Sequence, residues 1–236
     1  MSALDHEPPE DLVERVAAAT ALRRLAHSLV VHEVDDAMLV EVAAQAARIT
    51  AAVESGPRRI RREEMLARSR LGDAFADDPP GWIVPEGAEV DLFPDSPVSG
   101  SANPLGMGLR IRRVGDEAVG TVELGPGWEG APGRGHGGVV AALVDETIGG
   151  LLPIIATLAF TGELTIRYRG PCPLGAPLEF RARLKERLGR KLYIECEGRG
   201  PDGLFVESTG VFIAVDLAQL VGLPADDGSE AAEATR

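Results

Sequence analysis

One helix-forming apolar run sits among stretches that alternate. Residues 139–144, Val-Val-Ala-Ala-Leu-Val, follow a loop rich in Gly and Pro and lead into Asp145. On both sides of this run, apolar side chains recur at every second position, the mark of half-buried strands. An apolar helix inside a run of strands needs cover, and a sheet is the nearest surface able to wrap it. The pattern therefore predicts an α+β domain, with a long central helix wrapped by an antiparallel sheet of five to six strands.

The strands can be placed individually. Leu109 and Ile111 mark a first strand that reaches toward Val114, and Val122 and Leu124 mark a second that begins near Val119. Gly115-Asp116-Glu117 supplies the tight turn between them. The helix is expected near 138–152, with Pro153 at its end. Strands follow at 161–168, 178–188, 191–198 and about 204–215. Gly189-Arg190 and Pro201-Asp202-Gly203 read as hairpin turns.

Upstream of this module the period is helical. Leu12, Val16, Ala19, Leu22, Ala26 and Leu29 recur at three- and four-residue spacing. Asp35 or Asp36 caps a second helix whose stripe is Leu39, Val42, Ala46, Ile49 and Val53, and Gly56-Pro57 ends it. The run from Arg58 to Glu64 is the densest basic patch and reads as a solvated face. Residues 72–107, with many Pro, Gly, Asp and Ser, read as an extended connection pinned by Trp82 and Phe93. The organisation expected is an N-terminal helical extension (1–70), an extended connection (71–107), the sheet-and-helix domain (108–217) and a flexible acidic tail (218–236). Residues 1–9 and 225–236 read as mobile ends.

Composition narrows the function. The chain has 236 residues, 44% of them hydrophobic but only 4% aromatic, so aliphatic side chains must do most of the packing. A formal net charge of -13 argues against nucleic acid as a partner and against an anionic membrane surface. Two cysteines, Cys172 and Cys196, make neither a disulfide framework nor a four-ligand zinc site. His32 and Asp36 stand one helical turn apart without a third ligand, and His6 and His27 have no better company, so no metal is assigned. With no apolar run of about 18 residues and no basic leader followed by an apolar core, a membrane span is not expected and a cytoplasmic setting is.

The chemistry concentrates in residues 127–150, GWEGAPGRGHGGVVAALVDETIGG. A free helix N-terminus at His136-Gly137-Gly138 presents unpaired N–H groups that can stabilise a developing negative charge. Asp145 lies about two and a half turns further on, at ~3.6 residues per turn. It shares a stripe with Ala141, Ile148 and Leu152, where a carboxylate is expensive unless it has a task. Glu146 falls on the neighbouring stripe and reads as solvated or structural. Together these look like an oxyanion holder and a base or nucleophile for acyl transfer.

At this point the chain resembles the hotdog-fold acyl-CoA thioesterases of the PaaI type and related members of the thioesterase superfamily. The resemblance covers residues ~98–217. It rests on the loop Glu129-Gly130-Ala131-Pro132-Gly133, on His136-Gly137-Gly138, on Asp145 nine positions after the His, and on Thr161 sixteen positions after the Asp. The strand Leu164-Thr165-Ile166-Arg167-Tyr168-Arg169-Gly170-Pro171 matches as well, and Asn103-Pro104 looks like the family's lead-in segment.

The resemblance implies a hotdog fold carrying an N-terminal helical extension, and an enzyme that hydrolyses an acyl-CoA thioester to a free acid and CoA. Asp145 would be the general base or the nucleophile, the Gly137 N–H the oxyanion donor, and His136 the group that orients the loop or thioester. Thr161 would hold the water. Asn103, Gly138, Arg167, Arg169 and Arg190 are the candidate substrate-binding residues, the arginines for the phosphates of coenzyme A. No cofactor is called for, since coenzyme A is part of the substrate. Gly137 and Asp145 of one helix stand roughly twelve ångströms apart at ~1.5 Å of rise per residue. In the resembling family the acid comes from the neighbouring protomer, which implies a homodimer, or a dimer of dimers, with composite sites. The alternatives are a non-catalytic acyl-CoA-binding hotdog protein and a hotdog hydratase or dehydratase.

Overall fold

The structure, a computed structural model, describes residues 12–60, 84–90 and 93–215. Trp82, residues 61–64 of the basic run and the two ends read as mobile lie outside the described residues. Helices α1 (Val13–Val31) and α2 (Asp36–Glu54) come first. Strands β1 (Arg110–Val114) and β2 (Glu117–Glu123), a short 3-10 turn at Pro126–Trp128 and helix α3 (Gly137–Leu151) follow. Strands β3 (Ala159–Tyr168), β4 (Pro177–Leu188), β5 (Lys191–Gly200) and β6 (Gly203–Ala214) complete the order.

The six strands form one antiparallel sheet in the order β1-β2-β4-β5-β6-β3. Helix α3 packs against every one of them. This is the hotdog fold that the sequence pattern and the resemblance led us to expect. The reason is visible in burial. Val140, Leu143, Val144, Ile148 and Leu151 of α3 are buried, and so are alternate β5 residues Leu192, Ile194 and Cys196. Each large aliphatic side chain taken out of water contributes roughly 1.5–3 kcal/mol. Gly150 lets the helix come close, because a Cβ there would lie 2.8 Å from Ile111 Cγ2. Thr147, polar and fully buried on the same face, donates its hydroxyl to the Leu143 carbonyl at 2.7 Å.

Two details position the site. The chain leaves α3 and crosses to the far side of the sheet, so among the described residues β3 is an edge strand paired with β6 alone. The β3–β6 register shifts between Thr161 and Glu163, a bulge centred on Gly162. Strand β2 begins at Glu117, two residues before the sequence reading, because Glu117 pairs directly with Val114 across the turn.

The N-terminal helices differ from each other. Helix α1 rests on the body through Leu12 and Ala19, each 2% exposed. The His27 ring meets Trp128 edge-on with centroids 5.3 Å apart. Helix α2 is capped by Asp35, whose carboxylate accepts from Met38 N–H at 2.8 Å. The stripe expected to bury α2 is not covered by the described residues; no α2 residue is buried, and Val53 is 72% exposed. The apolar spacing is sufficient to form the helix, but its docking depends on a surface that the described residues do not offer.

The connection also departs from its expected form. Proline and glycine content suggested extended chain, but residues 93–107 fold into a compact loop. Its backbone bonds run from Ser96 N to Phe93 O, Gly100 N to Ser96 O, Ala102 N to Pro94 O and Met107 N to Val98 O. Breaker residues mark turns; where several turns follow one another the chain folds back on itself. No helix among the described residues is long and apolar enough to cross a membrane.

Candidate active site

The loop before α3 is built to present a helix N-terminus. Gly130 N–H bonds to Arg134 O, Gly135 N–H to Cys172 O and His136 N–H to Trp128 O, each at 2.9–3.0 Å. Gly133 turns the loop at a φ of +75°, a left-handed conformation that favours glycine. His136 is the N-cap, with φ -65° and ψ 133°, and its Nδ1 accepts the Gly138 N–H at 3.0 Å. That bond puts the imidazole proton on Nε2, which makes the outer nitrogen a donor. Val139 and Val140 both donate to the His136 carbonyl. Among the described residues, the Gly137 N–H is the one amide of this first turn that meets no acceptor. Tyr168, at the end of β3, donates its hydroxyl to the Gly137 carbonyl at 2.8 Å and fixes the orientation of that peptide.

Asp145 and Thr161 come together. Thr161 Oγ1 donates to Asp145 Oδ1 at 3.0 Å, joining the middle of α3 to the edge strand beside its bulge. Asp145 is half-buried and lines a cavity of about 240 Å³. Most of the remaining wall is aliphatic or aromatic, with Ile111, Leu152, Phe160 and Phe212 among its residues. A carboxylate anchored by one hydroxyl and facing an oily cavity keeps its other oxygen for substrate or water.

Glu146 is neither solvated nor idle. It lines the same cavity, and its Oε1 accepts from the hydroxyls of both Ser96, at 2.5 Å, and Ser99. Ser96 Oγ in turn accepts from Val98 N–H at 3.2 Å and Ser99 N–H at 3.4 Å. Asp145 therefore turns toward β3, and its neighbour Glu146 toward the loop.

The other candidates are scattered. Asn103 uses its amide inside the loop, donating to Asp95 O and accepting from Leu105 N–H, both at 2.8 Å. Arg167 and Arg169 both lie against Glu207 on the outer sheet surface. The hydrogen bond to Glu207 holds the Arg169 proton more tightly, and the same bond holds the Glu207 carboxyl below its usual range. They flank Tyr168 and so stand at the Gly137 end of β3. Arg190, whose Nε donates to Ala214 O at 2.9 Å, lies at the opposite end of that strand. Arg134, exposed on the loop two residues before His136, is a cation the sequence reading passed over. Tyr168 was in the matching strand but was given no role. Its bond to Gly137 spans 31 residues, which no local spacing reveals.

No cluster of three or more His, Cys, Asp or Glu able to hold a metal occurs among the described residues. Both cysteines are buried and free. Burial pushes the Cys172 thiol up to about 11 and that of Cys196 to about 12.

Residues 133–206 match the profile of the thioesterase superfamily. Acyl-coenzyme A thioesterase THEM4 of Xenopus laevis is 35% identical over 91 residues, which cover 38% of this chain and 41% of that protein. Acyl-coenzyme A thioesterase THEM4 of Bos taurus is 32% identical over 121 residues, 50% of each chain. The chain thus spans about half the length, or less, of these curated relatives. A crystal structure of a thioesterase superfamily protein aligns over 90% of this chain and 94% of its own, with a TM-score of 0.68 and 25% identity. The alternation, the wrapped helix and these matches agree: the chain has a hotdog fold, and residues 133–206 within it are similar to the thioesterase superfamily.

Proposed function

We propose that this protein hydrolyses acyl-CoA thioesters, with Asp145 as the acid-base or nucleophilic group and the Gly137 N–H as the oxyanion donor. The observation that carries the proposal is the Asp145–Thr161 pair on the wall of an otherwise oily cavity. The acyl-coenzyme A thioesterases among the relatives support the reaction class.

The chemistry balances with these groups alone. In the general-base route, water bound near Thr161 gives its proton to Asp145 as its oxygen attacks the thioester carbon. The carbonyl oxygen becomes an oxyanion facing the Gly137 N–H. Collapse breaks the carbon–sulfur bond, and the CoA thiolate leaves. A thiol near pKa ~8.5 leaves readily, so no strong acid is needed. The proton then passes from Asp145 to the thiolate. In the covalent route, Asp145 attacks first, thiolate departs, and water opens the resulting anhydride. A single turnover in 18O-labelled water tests for the covalent route: label appears in the Asp145 carboxylate when water opens the anhydride at the Asp145 carbon, and the general-base route never places it there.

Gly137 and Asp145 of one chain are separated by eight helical residues, about 12 Å at ~1.5 Å per residue. One carbonyl group cannot touch both. Strand β3 is a ten-residue edge with exposed Phe160 and Tyr168, the kind of edge that recruits another strand. A second copy added along β3 would supply the acid of one protomer to the amide of the other. On this reading the function belongs to a dimer with two composite sites, with Arg134, Arg167 and Arg169 as cations for the phosphates of coenzyme A.

The test is free-thiol release across a panel of acyl-CoAs, comparing the parent with Asp145→Asn. The expected result is hydrolysis of at least one acyl-CoA by the parent and a loss of about 10²–10⁴-fold in the variant. Equal rates for the two proteins on every substrate would remove Asp145 from the mechanism.

A further inference from the structure

Arg23 is an unusual cation. Its Nη1 donates to two main-chain carbonyls, Asn103 O at 2.5 Å and Ser101 O at 3.2 Å, across 80 and 78 residues of sequence. Its Nη2 donates to Thr20 Oγ1 at 3.0 Å on its own helix. Both long-range acceptors belong to the compact loop 93–107. Gly106 makes room: a Cβ there would lie 3.2 Å from Arg23 Nη1 and 2.5 Å from Gly100 O. Partial burial lowers the hold of the guanidinium on its proton, as expected where carbonyls rather than carboxylates surround it.

The inner side of the same loop faces the cavity. Phe93 and Ser99 line it, and Ser96 and Ser99 are tied to Glu146. The loop thus runs between two anchors, Arg23 of α1 on the outside and Glu146 of α3 on the inside. Asp145 and Glu146 are adjacent on α3, but one turns to Thr161 on β3 and the other to the loop. The loop therefore walls the cavity opposite the reacting carboxylate. Helix α1 is itself held to the body by Ala19, by Leu12 and by the His27–Trp128 contact, so the outer anchor does not drift.

We propose that Arg23 is a specificity-determining positioning residue: by gripping the carbonyls of Ser101 and Asn103 it fixes loop 93–107 as the far wall of the acyl cavity and so sets the longest acyl group accepted. This rests on the acyl-CoA reading above. The group accepted is an uncharged one. Among the described residues the lining carries Asp145 and Glu146 and no Lys or Arg, so a terminal carboxylate on the acyl chain would be repelled.

The experiment uses the full chain with Arg23→Met, which keeps the apolar stem and removes every donor, and Arg23→Lys, which restores a single ammonium. Calorimetric binding of non-hydrolysable acyl-CoA thioethers of increasing length gives a length cutoff without requiring turnover. Thiol release over the same lengths gives the kinetic profile. Loosening the wall moves the cutoff to longer chains in Arg23→Met, with the long-to-short ratio of kcat/KM rising about tenfold or more and kcat on short chains nearly unchanged. Arg23→Lys falls between the two. A cutoff identical in parent and variant, or a uniform loss at all lengths that tracks a lower melting temperature, overturns the proposal. If no protein turns over any acyl-CoA but the binding cutoff still moves, the hydrolase reading fails while the wall assignment stands.

Discussion

Thr161 donates its hydroxyl to Asp145 Oδ1 at 3.0 Å from a strand that the chain reaches only after leaving the helix that carries the acid. One carboxylate oxygen is thereby fixed, and the other is left to the cavity. Thr161→Ala is expected to lower kcat by about 10- to 100-fold, since a hydrogen bond to a charged group contributes roughly 1.5–3 kcal/mol. In the Asp145→Asn background the same change should add little, because the two side chains act as a unit. A double-mutant cycle on kcat reads the coupling. Strict additivity would mean that the bond is incidental to turnover.

Gly137 allows a donor to be deleted without breaking its helix. It occupies the first helical position, where proline is well tolerated because that N–H has no intrahelical acceptor. Proline also asks the preceding residue for extended backbone, and His136 has ψ 133°. Gly137→Pro therefore removes the proposed oxyanion donor with little disturbance to α3. The expectation is a fall of about 10²–10³ in kcat with a near-parental melting temperature. A parental kcat in a folded Gly137→Pro protein would assign the oxyanion elsewhere.

The two acidic positions show what a sequence can and cannot disclose. Asp145 was legible because a carboxylate on an apolar stripe violates a local rule, and Thr161 because the spacing matched a family. The strands were legible because alternation is local, and only their ends moved. Glu146 read as solvated or structural, and spacing could not choose between the two because its partners, Ser96 and Ser99, lie up to 50 residues away in a segment whose turns hide its final path. Arg23 gives no local signal for the same reason, since its acceptors lie 78 and 80 residues along the chain. Helix α2 shows the converse: its stripe predicts a helix correctly, but spacing alone does not say whether anything covers it.

The thiols supply a pH-dependent prediction. Burial raises Cys172 to about 11 and Cys196 to about 12 from an ordinary value of 9.0. The folded state holds both protons over a range in which the unfolded chain has lost them. Their contribution to stability is thus complete below the unfolded value and is lost as pH rises through the folded values. Urea midpoints are expected to decline from about pH 9 upward. At pH 8 a thiol reagent should label neither cysteine in the native protein and both in urea. Rapid native labelling would contradict the buried placement; its absence also leaves released coenzyme A as the dominant signal in a thiol assay.

A composite site makes the strongest prediction, because it concerns two molecules at once. Asp145→Asn and Gly137→Pro should each be close to inactive as homodimers. In a mixed dimer, one site collects both lesions and the other collects neither. Unfolding and refolding an equimolar mixture distributes the chains so that half the dimers are mixed, and one of their two sites is intact. Activity should return to about a quarter of the parental value by this symmetry argument. A tagged purification of the mixed species should raise it to about half on the same argument. Had the acid and the amide of a single chain formed the site, every site in the mixture would carry a lesion and nothing would return. The readout is thiol release before and after co-refolding, with each variant refolded alone as the control. Recovery above those controls requires that β3 edges, or another surface, bring Asp145 of one copy to Gly137 of the next.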